Sequence, residues 1–370
     1  MRTSVTRQQL RRYGLHFEAF ASGQARGSSP LYEALANGIA RDEELLAMVA
    51  GAAGPRFNAP LLFAVVHLRV LEGAGGELAV HYASVTREPA DPERAYPAFR
   101  AFCAERWPEI ADELGTRITQ TNEVARGSFL YPALALVAQT SGRPLALLEV
   151  GASAGLNLRL DHHRFDYGPH GQVGPAASRV VVRSRVERGT PPLPPALEVA
   201  WRRGLDLQPL DVRRPADVRW LESLVWPEQH RRRDLLRRAV AEAAQDPPDV
   251  RAGNAADALV GCAWEAPAGA ALVVFHTNTL GYLSADERRR LDGQVARIAA
   301  TRDVYRVFNS SGRLSRRLDG TPLDPVQIRA APPAGPSDGW LGLTATTRGR
   351  RRTLLLGLTR QHGEALAWLA

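Results

Sequence analysis

Leu147-Leu148-Glu149-Val150-Gly151-Ala152-Ser153-Ala154-Gly155-Leu156-Asn157 is the stretch whose reading decides the fold. An apolar run from Leu145 is broken only by Glu149, and small residues from Gly151 to Gly155 follow it. That order predicts a buried strand, a tight turn and then a helix. Small residues let a ligand lie directly against the backbone, and a helix N-terminus offers free N–H groups. A dinucleotide fingerprint needs glycine at offsets 0, 2 and 5. Here offset 2 is Ser153 and offset 5 is Leu156, while glycine falls at offsets 0 and 4.

Downstream, Ala271–Phe275 and Val304–Phe308 are further apolar runs set apart by helix-length segments, which predicts parallel strands in an α/β sheet. Trp340–Thr347 and Thr353–Thr359 flank Arg348-Gly349-Arg350, the pattern of a hairpin forming an antiparallel edge. Residues 187–195, with four prolines, read as a loop. Upstream the texture is helical. Leu10, Tyr13, Phe17 and Phe20 share one stripe, and Leu31, Leu35 and Ile39 repeat it after Ser29-Pro30. Asn58 is placed to cap a third helix to Leu71. Phe99, Phe102 and Cys103 lie on a fourth that stops or kinks at Trp107-Pro108, and a last helix spans about 123–139. The division predicted is 1–144, all helical and capping the site, and 145–370, a mostly parallel Rossmann-like sheet with an antiparallel C-terminal hairpin and an insertion at about 161–198.

The glycine spacing, with an acid two residues before Gly151, resembles class I S-adenosylmethionine-dependent methyltransferases. The resemblance implies that Glu149, Gly151, Ala152, Ser153 and Gly155 hold the cofactor. It also implies an acid ending the second strand to bind the ribose. Asp206 fits, 51 residues after Gly155, and Asp211 is the alternative. Asn254 and Ala255 follow a third strand, where an amide can donate to and accept from adenine. The fourth strand delivers His276, Asn278 and Tyr282 to the carboxyl end of the sheet, where open α/β sheets bind ligands. His276 titrates near neutrality and is the candidate general base, against a purely structural role. Gln120, Asn122 and Arg126 are candidates for the cofactor carboxylate or the acceptor; the rival reading is a helix cap.

Longer strings extend the likeness: Gln120–Arg126, Leu148–Asn157, Gly204–Asp211, Val225-Trp226-Pro227, and His362-Gly363 with Trp368-Leu369. Together they resemble the bacterial domain-of-unknown-function family 2332 over nearly the whole chain. Asn254 departs from the family pattern, which carries aspartate there.

Composition narrows the function. All 47 basic residues are arginine, against 39 acids, giving a net charge of +8. The arginine runs 231–233, 288–290 and 350–352 are scattered and read as solvated helix faces or turns, so no nucleic-acid partner is expected. Asp161-His162-His163, Asp166 and His170 match no metal-ligand spacing and read as a solvated loop, so no metal is expected. Two cysteines exclude a disulfide framework. Met1–Leu10 lacks an apolar signal core, and no apolar stretch is long enough for a membrane span, which predicts a cytoplasmic protein. The expectation is an enzyme methylating a small molecule. The alternative is a protein of the same fold that binds S-adenosylmethionine or a nucleoside without methylating.

Overall fold

The structure is a computed structural model that describes residues 5–311, 317–318, 321–322, 338–360 and 362–370. It divides into two compact units, 1–121 with 214–234, and 122–213 with 235–370. The boundary therefore falls before the last N-terminal helix, not after Pro144, and a short downstream segment joins the helical unit.

The helical unit holds α1 (Arg7–Phe20), α2 (Pro30–Ile39), α3 (Glu43–Ala52), α4 (Ala59–Leu71), α5 (Ala95–Glu105), α6 (Trp107–Thr116) and α8 (Pro215–Ser223). Side-chain caps set the starts. Ser29 accepts from Tyr32 N, Asp42 from Leu45 N and Asn58 from Leu61 N. Tyr13, Phe17 and Phe20 are buried as one stripe, and Leu10 is half-buried. Tyr32 stacks on Phe63 at 4.6 Å, and Trp226 meets the Phe20 ring edge-on at 5.6 Å. The Val225-Trp226-Pro227 string thus belongs to this aromatic core.

In the second unit α7 (Gly127–Ser141) runs through Pro132, which cannot donate to the Ser128 carbonyl. The Tyr167 hydroxyl donates to that carbonyl instead, at 2.7 Å, and so ties α7 to residues beyond the first strand. The main sheet contains β1 (Leu145–Val150), β2 (Arg185–Arg188), β3 (Val199–Asp206), β4 (Val250–Ala252), β5 (Ala271–Thr277), β6 (Val304–Ser311), β7 (Gly339–Thr347), β8 (Arg350–Thr359) and β9 (Ala365–Trp368). Their order is β2-β9-β8-β7-β6-β5-β1-β3-β4. Neighbours from β4 through β6 are parallel; β7, β8 and β9 pair antiparallel in turn. The β7–β8 turn uses Arg348 and Gly349, both at positive φ, as a two-residue hairpin requires. That hairpin is not the edge: β9 and then β2, from the insertion, extend the sheet beyond it.

One face of the sheet, with Ala146, Leu148 and Val150 of β1 and Leu272 and Val274 of β5, packs on α10 (Ala255–Trp264) and α11 (Ala285–Ala299). The insertion is not simply a loop. It carries a small three-stranded sheet of 164–166, 172–173 and 181–183. Asp161 is held by both Arg202 Nη atoms at 2.8 and 2.9 Å and His163 is buried, so these two are structural, whereas His170 is exposed as a solvated loop would have it. No helix among the described residues is long and apolar enough to cross a membrane.

Candidate functional site

The carboxyl ends of β1, β3 and β5 gather most of the residues named from the sequence. After β1 the chain turns through Gly151 (φ +74°), Ser153 (φ +55°) and Gly155 (φ +72°). A Cβ on Gly151 would lie 2.7 Å from the Thr279 side chain, which donates to Val150 O at 3.0 Å. The missing Cβ therefore makes room for Thr279. β3 carries the loop: Leu205 O accepts from Gly151 N and Ala152 N. The buried Asp206 carboxylate accepts from Ser153 N at 2.8 Å through one oxygen and from Gln208 N at 2.9 Å through the other. Asp206 is thus the acid that ends the second parallel strand and pins the glycine loop. Asp211 turns away into a local pair with Arg213.

The segment after the loop is a 3₁₀ turn over Leu156–His162, not the α-helix expected. Arg159 inside it has non-helical angles, so no macrodipole of useful length develops. Its first N–H, on Leu156, is taken by Asn122 Oδ1 at 3.0 Å. Asn122 and Arg126 do reach this site. Arg126 Nη1 donates to Thr277 Oγ1 at 3.2 Å, and its charge acts on Glu149 and Tyr282. Gln120 is buried in the helical unit.

Glu149 is buried on the β1 face opposite α10 and α11. Burial pushes its carboxyl well above the usual range; an Asn157 hydrogen bond and Arg126 oppose this, and Asp206 adds to it. Glu149 Oε2 and Asn157 Oδ1 have no hydrogen-bond partner. Asn157 stood in the quoted string, but its role needed the three-dimensional neighbour Glu149 to be seen. Tyr282 is 45% exposed, yet its hydroxyl end lies among protein atoms, where burial raises its pKa and Arg126 opposes the rise.

His276 does not reach the site. β5 keeps its alternation through Thr277, so the two side chains leave opposite faces. His276 is fully buried, accepts from Arg306 Nη2 at 3.3 Å through Nε2, and stacks on Phe308. Arg306 pairs in turn with Asp292 of α11. Thr277, the next residue of β5, is the one that meets Arg126 at the carboxyl end of the strand. Asn278 follows at φ +58°, its N–H bound to Asn309 O. Asn254 caps α10 through Ala256 N, at 3.0 Å, and donates to Glu287. The amide read as an adenine contact is therefore occupied at both ends, and Ala255 is the buried first residue of that helix.

Three buried histidines give a pH prediction. Burial lowers His67 to about 3 and His163 to about 3, and drives His276 well below its usual value. In the unfolded chain each binds a proton below about 6.5. A lowered folded value means stability present above 6.5 and lost as pH falls toward 3. Each such histidine is expected to cost about 1 kcal/mol per pH unit below pH 6. Proton uptake on unfolding at pH 5 to 6, read by calorimetry in buffers of different ionisation enthalpy, checks it. No uptake would show these rings protonated in the fold.

These features define an α/β protein whose mostly parallel sheet carries a polar, glycine-lined site at the carboxyl ends of its central strands. Within that class, the chain belongs to the family described as uncharacterized protein conserved in bacteria, DUF2332, whose model matches residues 15–368. No curated protein and no solved structure matches the chain.

Proposed function

We propose that this site binds S-adenosylmethionine and that the protein transfers its methyl group to a small molecule. The observation that carries the reading is the Asp206 carboxylate, which ends the second strand and hydrogen-bonds the glycine loop that ends the first. The strand order β4-β3-β1-β5-β6, all parallel and followed by an antiparallel strand, supports it. So do two buried acceptors without donors, Glu149 Oε2 and Asn157 Oδ1. A ligand ammonium would satisfy both, which fits the amino-acid end of this cofactor. Arg126 is the matching cation for a carboxylate.

Bound S-adenosylmethionine supplies a sulfonium methyl group that is already electrophilic. The chain's part is to align the acceptor and exclude water. Thr277, Asn278 and Tyr282 stand at the end of β5 for that purpose. The burial of His276 against Arg306 favours a second reading, binding without turnover, because the one expected base is turned away.

Calorimetry with S-adenosylmethionine and S-adenosylhomocysteine tests the proposal, with micromolar dissociation constants expected. No heat at about 1 mM ligand, some 4 kcal/mol of binding, overturns it. Glu149→Gln is the companion variant. It removes a carboxyl that burial disfavours as an anion, so the free protein gains stability at neutral pH, while ligand affinity falls. Affinity unchanged by this variant would move the ammonium site elsewhere.

A further inference from the structure

The arginine run 231–233 is only partly a solvated face. It opens α9 (His230–Ala243), where Arg231 is exposed but Arg233 is only 6% exposed. No acid occupies that first turn, so three guanidinium groups stand at the positive end of the helix dipole, where cations are unfavourable and anions favourable. Beside this turn lies a cleft of about 480 Å³. That size is within the roughly 300–1,000 Å³ of small-molecule sites. Ser84, Thr86, Arg87, His230 and Arg233 line it, and no carboxylate is among its lining residues.

Hydrogen bonds fix the protons in this cleft. Arg233 Nη2 lies 2.8 Å from His230 Nδ1, and a guanidinium only donates. His230 Nδ1 is therefore the acceptor, and the ring presents Nε2–H as a donor. Behind the cleft, His67 Nδ1 donates to Ser223 O at 3.0 Å. Its Nε2, at 2.8 Å, then accepts from Ser84 Oγ, which leaves the Ser84 lone pairs for a ligand hydroxyl. Burial holds His67 neutral, consistent with that arrangement.

We propose that this cleft binds a small molecule carrying a tetrahedral oxyanion, a phosphate or sulfate group, through Arg233, Arg87 and the His230 N–H. Two guanidinium groups and an imidazole N–H donor match the acceptor oxygens of such a group. Ser84 accepts from a hydroxyl of the ligand or of its protonated phosphate. This site shares no residue with the glycine loop, and the proposal is independent of the function proposed there.

The test uses the full chain and three probes: inorganic phosphate, sulfate and glycerol 3-phosphate, each against sodium chloride at equal ionic strength. Saturable thermal stabilisation by the oxyanions, beyond that of chloride, is expected. Tighter binding of glycerol 3-phosphate identifies an organic phosphate; equal binding identifies the free ion. His230→Ala and Arg87→Ala, both at exposed positions, should raise the half-saturating concentration roughly tenfold, the loss of one charge-assisted contact. Arg233→Gln should do so more strongly, and if it fails to fold the two exposed variants decide. Arg350→Ala, in the β7–β8 hairpin, should leave it unchanged. Equal stabilisation by chloride, or unchanged half-saturation in the His230 and Arg87 variants, overturns the proposal.

Discussion

Replacing Asp206 by alanine is expected to destabilise the sheet unit by about 2–4 kcal/mol, the cost of leaving two backbone donors without acceptors. The buried Ser153 N–H and the Gln208 N–H both end on that carboxylate. The loop itself should stay in place, because Leu205 O still accepts from Gly151 N and Ala152 N. The fold should therefore survive with a loosened site. Hydrogen exchange separates the two effects: the Ser153 and Gln208 amides should exchange much faster, and the Gly151 amide should change little. Asp206→Asn should recover less than half the loss, because its one amide oxygen cannot face both donors while the NH₂ group opposes one of them. Stability and exchange both unchanged in Asp206→Ala would remove Asp206 from its anchoring role. Affinity for the proposed S-adenosylmethionine ligand should fall in both variants.

The physics of single segments explains which parts of this arrangement are legible in one dimension. A continuous apolar run ending in glycine identifies β1 and its loop without help from any neighbour, and the caps Ser29, Asn58 and the Trp107-Pro108 break work over three or four residues. Asp206 is legible for the same reason, as an acid at the end of an apolar-containing strand. His276 is not. Its direction depends on where β5 stops, and β5 continues through Thr277 because β6 pairs with it to Asn309. Alternation from Leu272 and Val274 then puts the histidine on the face packed against α10 and α11. Asn254 fails differently. Asparagine serves equally as a helix cap and as a ligand contact, and only the backbone angles after it decide between them. The unit boundary depends on contacts remote in sequence: α7 packs on β5 and β6, and the Tyr167 hydroxyl takes the carbonyl that Pro132 leaves free. The cleft beside α9 was hidden because a run of arginines carries no burial pattern of its own.

The largest local effect should come from Gly155→Ala. Gly155 sits at φ +72°, where a Cβ costs about 1–2 kcal/mol. That Cβ would also lie 2.6 Å from Pro248 Cβ and 2.8 Å from Val250 Cγ2, and overpacking of this kind costs about 1–3 kcal/mol. The sum, about 2–5 kcal/mol, can be divided experimentally. Gly142, at φ +64°, ends α7, and a Cβ there would meet nothing within 4 Å, so Gly142→Ala should show the conformational cost alone. The difference between the two variants in chemical denaturation then measures the contact with Pro248 and Val250. The consequence reaches the site through β4. Val250 begins that strand, which pairs with β3 at Gly204–Asp206, and Gly253 N donates to Asp206 O at 2.8 Å. Pushing Val250 outward should pull on the strand end that holds the Asp206 carboxylate under Ser153. Gly155→Ala should therefore speed exchange of the Ser153 amide as well as lower stability, whereas Gly142→Ala should leave that amide protected. Equal losses in the two variants would mean that Pro248 and Val250 yield freely, and that the close approach of β4 to the loop is not what holds the site together.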